Sequence, residues 1–288
     1  MFWKALTIVF IVAGILGGTI YVLHELYYKE KKLDAVEQTA PPEPTPEPTP
    51  DPALVAWDAL KPLAAQNSPE ARDALTAYLA EHPGSPKIAD VQNALGRINT
   101  ALFRDPASNP SLTVYTVKKG DSLARIASLH KSNAELIYWA NQLSSINLQI
   151  GQSLIVPVFD ASLLVDPTRS TITLLNGGTF FKSYPAVSMH LTGAAAKANL
   201  EAKVADRIAR KGETRVAFGS KDYADAERAI LIGPGNVFIR PPASPSAETS
   251  DPASAPPAAP GIVLAAPDFQ EVYVLVKSGT PVTFQSQP

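Results

Sequence analysis

The chain has 288 residues, a length that suits about two domains. Its formal net charge of −2 leaves no basic surplus of the kind that draws a protein to nucleic acid, so none is expected as a partner. It has no cysteine, which excludes disulfides, thiolate metal sites and a lipid-modified cysteine, and its four histidines are scattered, so neither a metal nor a cofactor is expected.

The first segment is an uncharged apolar run from Ala5 to Leu23. At ~1.5 Å per helical residue it just reaches across a ~30 Å hydrocarbon layer. A cleaved secretory leader is the competing reading, but its apolar part is shorter, about 7–15 residues, and ends in a small-x-small cleavage site. Here HELYYKEKK follows Leu23. The reading adopted is a transmembrane anchor over residues 1–28 that contacts the membrane through 5–23, single-pass in a cytoplasmic membrane. Charge alone, with Lys4 before the run and Lys29, Lys31 and Lys32 after it, would place the body in the cytoplasm. The domains further along argue for the periplasm or exterior. Residues 29–52 form a linker in which PPEPTPEPTPDP favours polyproline II, at ~3.1 Å per residue a semi-rigid spacer of roughly 35–40 Å. Plain disorder would serve the same purpose.

Residues 53–105 carry helical periodicity. Leu75 and Leu79, then Ile88, Val91, Leu95, Ile98 and Leu102, recur at three-and-four spacing. Ser68-Pro69 and Ser85-Pro86 each place a capping serine before a proline suited to a first helical turn. Three helices are predicted, at about 53–66, 69–82 and 86–103. They serve as a spacer or as a partner-binding helical pair.

Residues 113–158 read as strand, helix, helix, strand. Tyr115-Thr116-Val117 has strand propensity, Gly120-Asp121-Ser122 turns and caps a helix, and Ser132 is a plausible cap for a helix from Asn133 to Ala140. Ile150-Gly151-Gln152 then turns into a strand, Ser153 to Val156, stopped by Pro157. Val117, Gly120, Asp121, Ser122, Leu123, Ile126, Ala127, Asn141, Gly151, Gln152, Leu154, Val156 and Pro157 follow the LysM pattern, so the segment resembles a LysM module. That resemblance implies binding of N-acetylglucosamine-containing glycan, peptidoglycan in bacteria. The expected contacts are two loops at one end of the strand pair: Gly120, Asp121, Ser122 and Leu123 in the first, and Asn147, Leu148, Gln149, Ile150 and Gly151 in the second. Asn141 is expected to bond backbone rather than sugar.

Residues 162–285 read as a mostly-β domain with a Pro/Ala-rich insertion at 241–260. A strand, a turn at Asn176-Gly177-Gly178 and a return strand open it over 163–187. A helix from Asp268 to Val276 and a strand after Gly279-Thr280-Pro281 close it. Val165-Asp166, Leu174 and Gly178 at the opening, and Val276, Gly279, Thr280, Pro281 and Val282 at the close, resemble the L,D-transpeptidase catalytic domain of the YkuD type. The resemblance implies a nucleophilic cysteine in S-x-G-C-x-R with an upstream histidine. The corresponding segment here is Ala259 to Leu264, where Gly261 remains, no cysteine follows, and Val263 stands at the arginine position. Ile230 to Gly233, the counterpart of the histidine strand, holds no histidine, and His190 lies earlier in the chain. An unrelated β domain is the competing reading.

The fold class expected is therefore multidomain α+β: a transmembrane helix, a small helical region, a βααβ LysM and a degenerate L,D-transpeptidase-like β domain. No catalytic residue is assigned and no enzyme activity is expected. The function expected is non-covalent attachment to peptidoglycan glycan strands. Alternatives are a regulator that recruits an active cell-wall enzyme as partner and, less favoured, a transpeptidase with residual activity.

Overall fold

The computed structural model describes residues 14, 17–32, 51–109, 112–196, 200–243 and 261–285. It divides into two compact units, Met1–Pro50 and Asp51–Pro288.

In the first unit residues 17–32 form helix α1. Here the expected membrane anchor is corrected. Among the described residues no helix is long and apolar enough to cross a membrane. A spanning helix needs about 20 consecutive apolar residues, whereas α1 carries His24, Glu25, Lys29, Glu30, Lys31 and Lys32. The rest of the apolar run, through residue 13 and at 15–16, lies outside the described residues, as does 33–50, which holds nearly all of the proline-rich spacer. The single-pass membrane localisation falls with the anchor.

The second unit opens with three helices, α2 (Pro52–Ala64), α3 (Pro69–Glu81) and α4 (Ile88–Phe103). Ser68 Oγ accepts from the Ala71 N–H at 3.2 Å, with Pro69 in the first turn of α3. Helix α4 starts after Lys87 with no side-chain cap at that residue, and Ser85 caps the turn that leads into it, its Oγ accepting from Lys87 N at 3.1 Å. The same hydroxyl is buried 2.7 Å from Tyr78 Oη, which also donates to the Ala53 carbonyl. That pair staples α2 to the α3–α4 joint. Leu75, Val91, Leu95, Ile98 and Leu102 form the shared core with Trp57 and Tyr78.

The next elements are β1 (Thr113–Thr116), α5 (Leu123–Leu129), α6 (Ala134–Ala140) and β2 (Ser153–Val156), with β1 antiparallel to β2. Asn133, not Ser132, caps α6: its Oδ1 accepts from Leu136 N at 2.6 Å, while Ser132 Oγ donates to the Pro157 carbonyl. Asn141 bonds backbone three ways, donating to the Ile137 and Ile155 carbonyls and accepting from Ile155 N at 2.8 Å. It thereby ties α6 to β2.

The remaining strands are β3 (Ala161–Asp166), β4 (Thr171–Asn176), β5 (Thr179–His190), β6 (Leu200–Lys211), β7 (Thr214–Arg215), β8 (Glu227–Gly233), β9 (Val237–Arg240), β10 (Gly261–Leu264) and β11 (Pro281–Phe284), with α7 (Ala266–Leu275) between the last two. The order is β11-β3-β4-β5-β10-β9-β8-β6-β7, and β11 also pairs with β6, so eight strands close into a barrel. The single opening hairpin expected over 163–187 is corrected. Asp166 Oδ1 accepts from Thr168 N and Arg169 N, Ser170 takes a φ of 51°, and a second turn splits the stretch into three strands. Gly177 and Gly178, with φ of 57° and 80°, make the expected turn between β4 and β5.

LysM and barrel are packed together. Leu136 of α6 belongs to the barrel's core cluster, and Phe218 packs against the LysM core. Asn133 Nδ2 donates to the Val274 carbonyl of α7 at 3.1 Å. Glu135, only 11% exposed at its side chain, pairs with Arg207 of β6 and accepts from Tyr223 Oη. Burial pushes the Tyr223 hydroxyl up to about 12, so it stays a neutral donor to that carboxylate.

Candidate functional site

The two expected loops meet where β1 and β2 end. Beyond the Thr116–Ser153 pair the backbone ladder continues: Val117 N donates to the Gln152 carbonyl and Gly151 N to the Val117 carbonyl, both at 2.9 Å. These bonds fix 118–123 beside 145–151. Gly120 and Gly151 stand at φ of 86° and 85°, the left-handed region that L side chains resist, and no atom would meet a Cβ at either. Glycine is needed there for backbone conformation, which leaves both turns open to solvent.

Asp121 shapes the first loop. Its Oδ2 accepts from Lys118 N and from Tyr115 Oη, each at 2.8 Å. Those two donors, the backbone one first, hold its carboxyl below the usual range, so it is charged and occupied. Ser122 Oγ caps α5 through Arg125 N at 3.2 Å, and Leu123 lies in the LysM core at 4% exposure. In the second loop Asn147 N donates to Ser145 Oγ at 3.1 Å. Gln149 N donates to Gln152 Oε1, and Gln152 N returns to the Gln149 carbonyl. Leu148 packs partly against the core, whereas Ile150 is 71% exposed at the tip. Polar backbone beside an exposed apolar tip can meet an N-acetyl group, whose amide needs hydrogen bonds and whose methyl needs apolar contact.

The segment matched to the transpeptidase nucleophile is β10, an inner strand between antiparallel β5 and parallel β9. A Cβ on Gly261 would lie 2.5 Å from the Phe238 carbonyl oxygen. Ile262 and Leu264 are wholly buried, so the strand supplies core rather than a cleft. Ile230 and Ile232 of β8 are buried likewise. Ser244 and Ser254, hydroxyls that could stand in for the thiol only with a positioned base, lie outside the described residues. The structure places His190 directly across from Gly261. Sequence reasoning set that histidine apart, because a pairing between strands seventy positions apart leaves no local signal.

Sequence reasoning also missed a cleft of about 710 Å3 where LysM meets barrel, bordered by Ser145 and Ile146 of the second loop and by Arg104, Trp139, Phe218 and Arg228. These residues come from four separate segments, and no spacing rule links them. Among the described residues no cluster of histidine and carboxylate side chains could hold a metal ion.

Residues 115–157 match the family model described as "LysM domain". No match was found among curated proteins. Among solved structures, an L,D-transpeptidase from Mycobacterium smegmatis is similar at 14% identity, covering 48% of this chain and 65% of that one, with a TM-score of 0.30. An L,D-transpeptidase from Mycobacterium tuberculosis H37Rv is similar at 14% identity over 61% of this chain and 90% of that one, with a TM-score of 0.29. A fused zinc-dependent amidase, peptidase and peptidoglycan-binding protein from Clostridium acetobutylicum shows 12% identity, 52% and 59% coverage, and a TM-score of 0.30. The chain thus spans less than two thirds of the length of the first of these, and superpositions this loose carry no argument about the barrel's chemistry.

Proposed function

We propose that this chain, which carries a LysM domain over residues 115–157, holds non-covalently to N-acetylglucosamine-containing glycan, as in peptidoglycan. The barrel is a non-catalytic relative of the L,D-transpeptidases. The observation that carries the first part is the joining of two solvent-open glycine turns, at Gly120 and Gly151, by the bonds through Val117. Two observations support the second: the chain has no thiol, and the residue that follows Gly261, where the resembled family has its nucleophile, is the wholly buried Ile262. A serine could not simply take over, since its hydroxyl needs a positioned base to ionise near neutral pH.

Binding is tested by sedimentation with insoluble peptidoglycan. Removing the whole LysM is a poor control, because Leu136 and Glu135 are built into the barrel's core and interface. Exposed-loop variants are better: N147A with I150D should lose most of the sedimented fraction while the folded state is retained. Full sedimentation of that double variant would refute the glycan loop. For the barrel, mass spectrometry after incubation with a carbapenem should find no acyl adduct, and an adduct on any side chain would restore an enzyme reading.

A further inference from the structure

The cleft between LysM and barrel holds two guanidinium groups that lack a carboxylate partner. Arg104 closes α4 and lies flat on Trp139, its carbon 3.6 Å from the ring centroid. Burial of this guanidinium lowers its pKa, and its Nε is buried with no hydrogen-bond partner. The carboxylate whose field reaches it, Glu271, is already bonded to Lys182 Nζ at 2.5 Å and to Thr100. Arg228 donates to the neutral Gln270 and lies 5.8 Å from the Tyr223 and Tyr273 rings. Among the described residues neither arginine makes an ion pair. The cleft's own carboxylate, Glu135, is taken by Arg207 and Tyr223. Desolvating a cation without an anion is costly. The C-terminal end of α4 offsets only part of that for Arg104, while Arg228, half-buried, has a neutral amide as its hydrogen-bond acceptor.

The position of the cleft identifies what the missing anion is attached to. Ser145 and Ile146 form its rim, and the candidate glycan loop begins at the next residue, Asn147. A glycan chain leaving that loop toward the barrel passes the two arginines, with Tyr138 and Phe218 as aromatic surface for sugar. We infer that this cleft is a second subsite, in which Arg104 and Arg228 take a carboxylate carried by the same glycan strand that the LysM loops hold. It rests on the glycan-binding reading above and extends it. The site would separate carboxylate-bearing wall glycan from uncharged chitin. The carboxylate has two sources, the lactyl ether of the muramyl sugar or an acid group of the peptide attached to it.

The test measures affinity of the full chain for three probes of matched length: chitin oligosaccharide, peptide-free peptidoglycan strands, and strands with their stem peptides. Wild type should bind a carboxylate-bearing strand at least about tenfold tighter than chitin, as charge-assisted bonds to arginine require. A gain already present with peptide-free strands assigns the lactyl group; a gain only with stems assigns the peptide. R104M, which keeps an apolar stem on Trp139, and R228Q should each abolish the gain and leave chitin binding unchanged, which also shows that both variants are folded. Equal affinity for all three probes, or a gain insensitive to both substitutions, would overturn the subsite while leaving the glycan loop standing. Arginine-dependent binding of charged strands with no chitin binding at all would do the reverse.

Discussion

Asp121 has one carboxylate oxygen that accepts two donors, Lys118 N in its own loop and Tyr115 Oη on β1. Because its folded pKa is depressed, its contribution is present above the unfolded value of about 3.9 and is lost as pH falls through the folded value. Denaturant titrations from pH 7 down to 2 should show this part of the acid sensitivity vanish in D121N. The asparagine can still accept a bond but does not ionise there, so an unchanged pH profile would deny the assignment. Gly151 makes a different demand. At φ of 85° its substitution by alanine should cost about 1–2 kcal/mol through backbone strain alone, since no atom obstructs the new methyl. Equilibrium unfolding measures this, and a cost near zero would mean that the turn relaxes.

At the level of elements, β11 decides whether the barrel closes. It runs parallel to β3 and antiparallel to β6, so four residues serve two neighbours. Phe284 is fully buried at its end. F284A should cost about 3–5 kcal/mol, the usual range for an aromatic removed from a core, and amide exchange should rise first in β3 and β6. Helix α7 is tied in by charge as well as by Phe269 and Val272. Glu271, 9% exposed at its side chain, holds Lys182 of β5 and Thr100 of α4. E271A leaves that lysine partly buried without its carboxylate, only the Tyr184 ring 5.0 Å away, and should destabilise by about 2–3 kcal/mol, somewhat below the 3–5 kcal/mol of a fully buried pair because water still reaches Lys182. The same chemical denaturation assay decides it, and a neutral E271A would show that Lys182 escapes to solvent.

For the whole of the second unit, the Glu135–Arg207 pair and the Asn133–Val274 bond join LysM to barrel. Glu135 also receives Tyr223, so E135A removes a carboxylate from two donors at once. Wild type should unfold in one transition seen alike by tryptophan fluorescence and far-ultraviolet dichroism. In E135A the two signals should separate, with the LysM signal moving first. Coincident transitions in the variant would mean that apolar contacts through Leu136 and Phe218 suffice to couple the two parts.

The LysM was legible because its caps, turns and most of its core lie within one short stretch. Capping at Ser122, the glycine turns at 120 and 151, the apolar spacing and Asn141 all act between near neighbours, so composition and order determine them. The helices of 52–103 were legible for the same reason, and what the sequence did not signal is that the Ser85 hydroxyl, which accepts from Lys87 N, is shared with Tyr78 of α3. The apolar run before Leu23 shows the limit of hydropathy read alone, for the described helix there continues into charged residues. Only the tertiary structure decided the barrel order, the placing of His190 across from Gly261, the crowding at Gly261 and the placing of Arg104 and Arg228 on one cleft. Each depends on residues far apart in sequence brought together by strand pairing and core burial, and those long-range contacts leave no periodic trace along the chain.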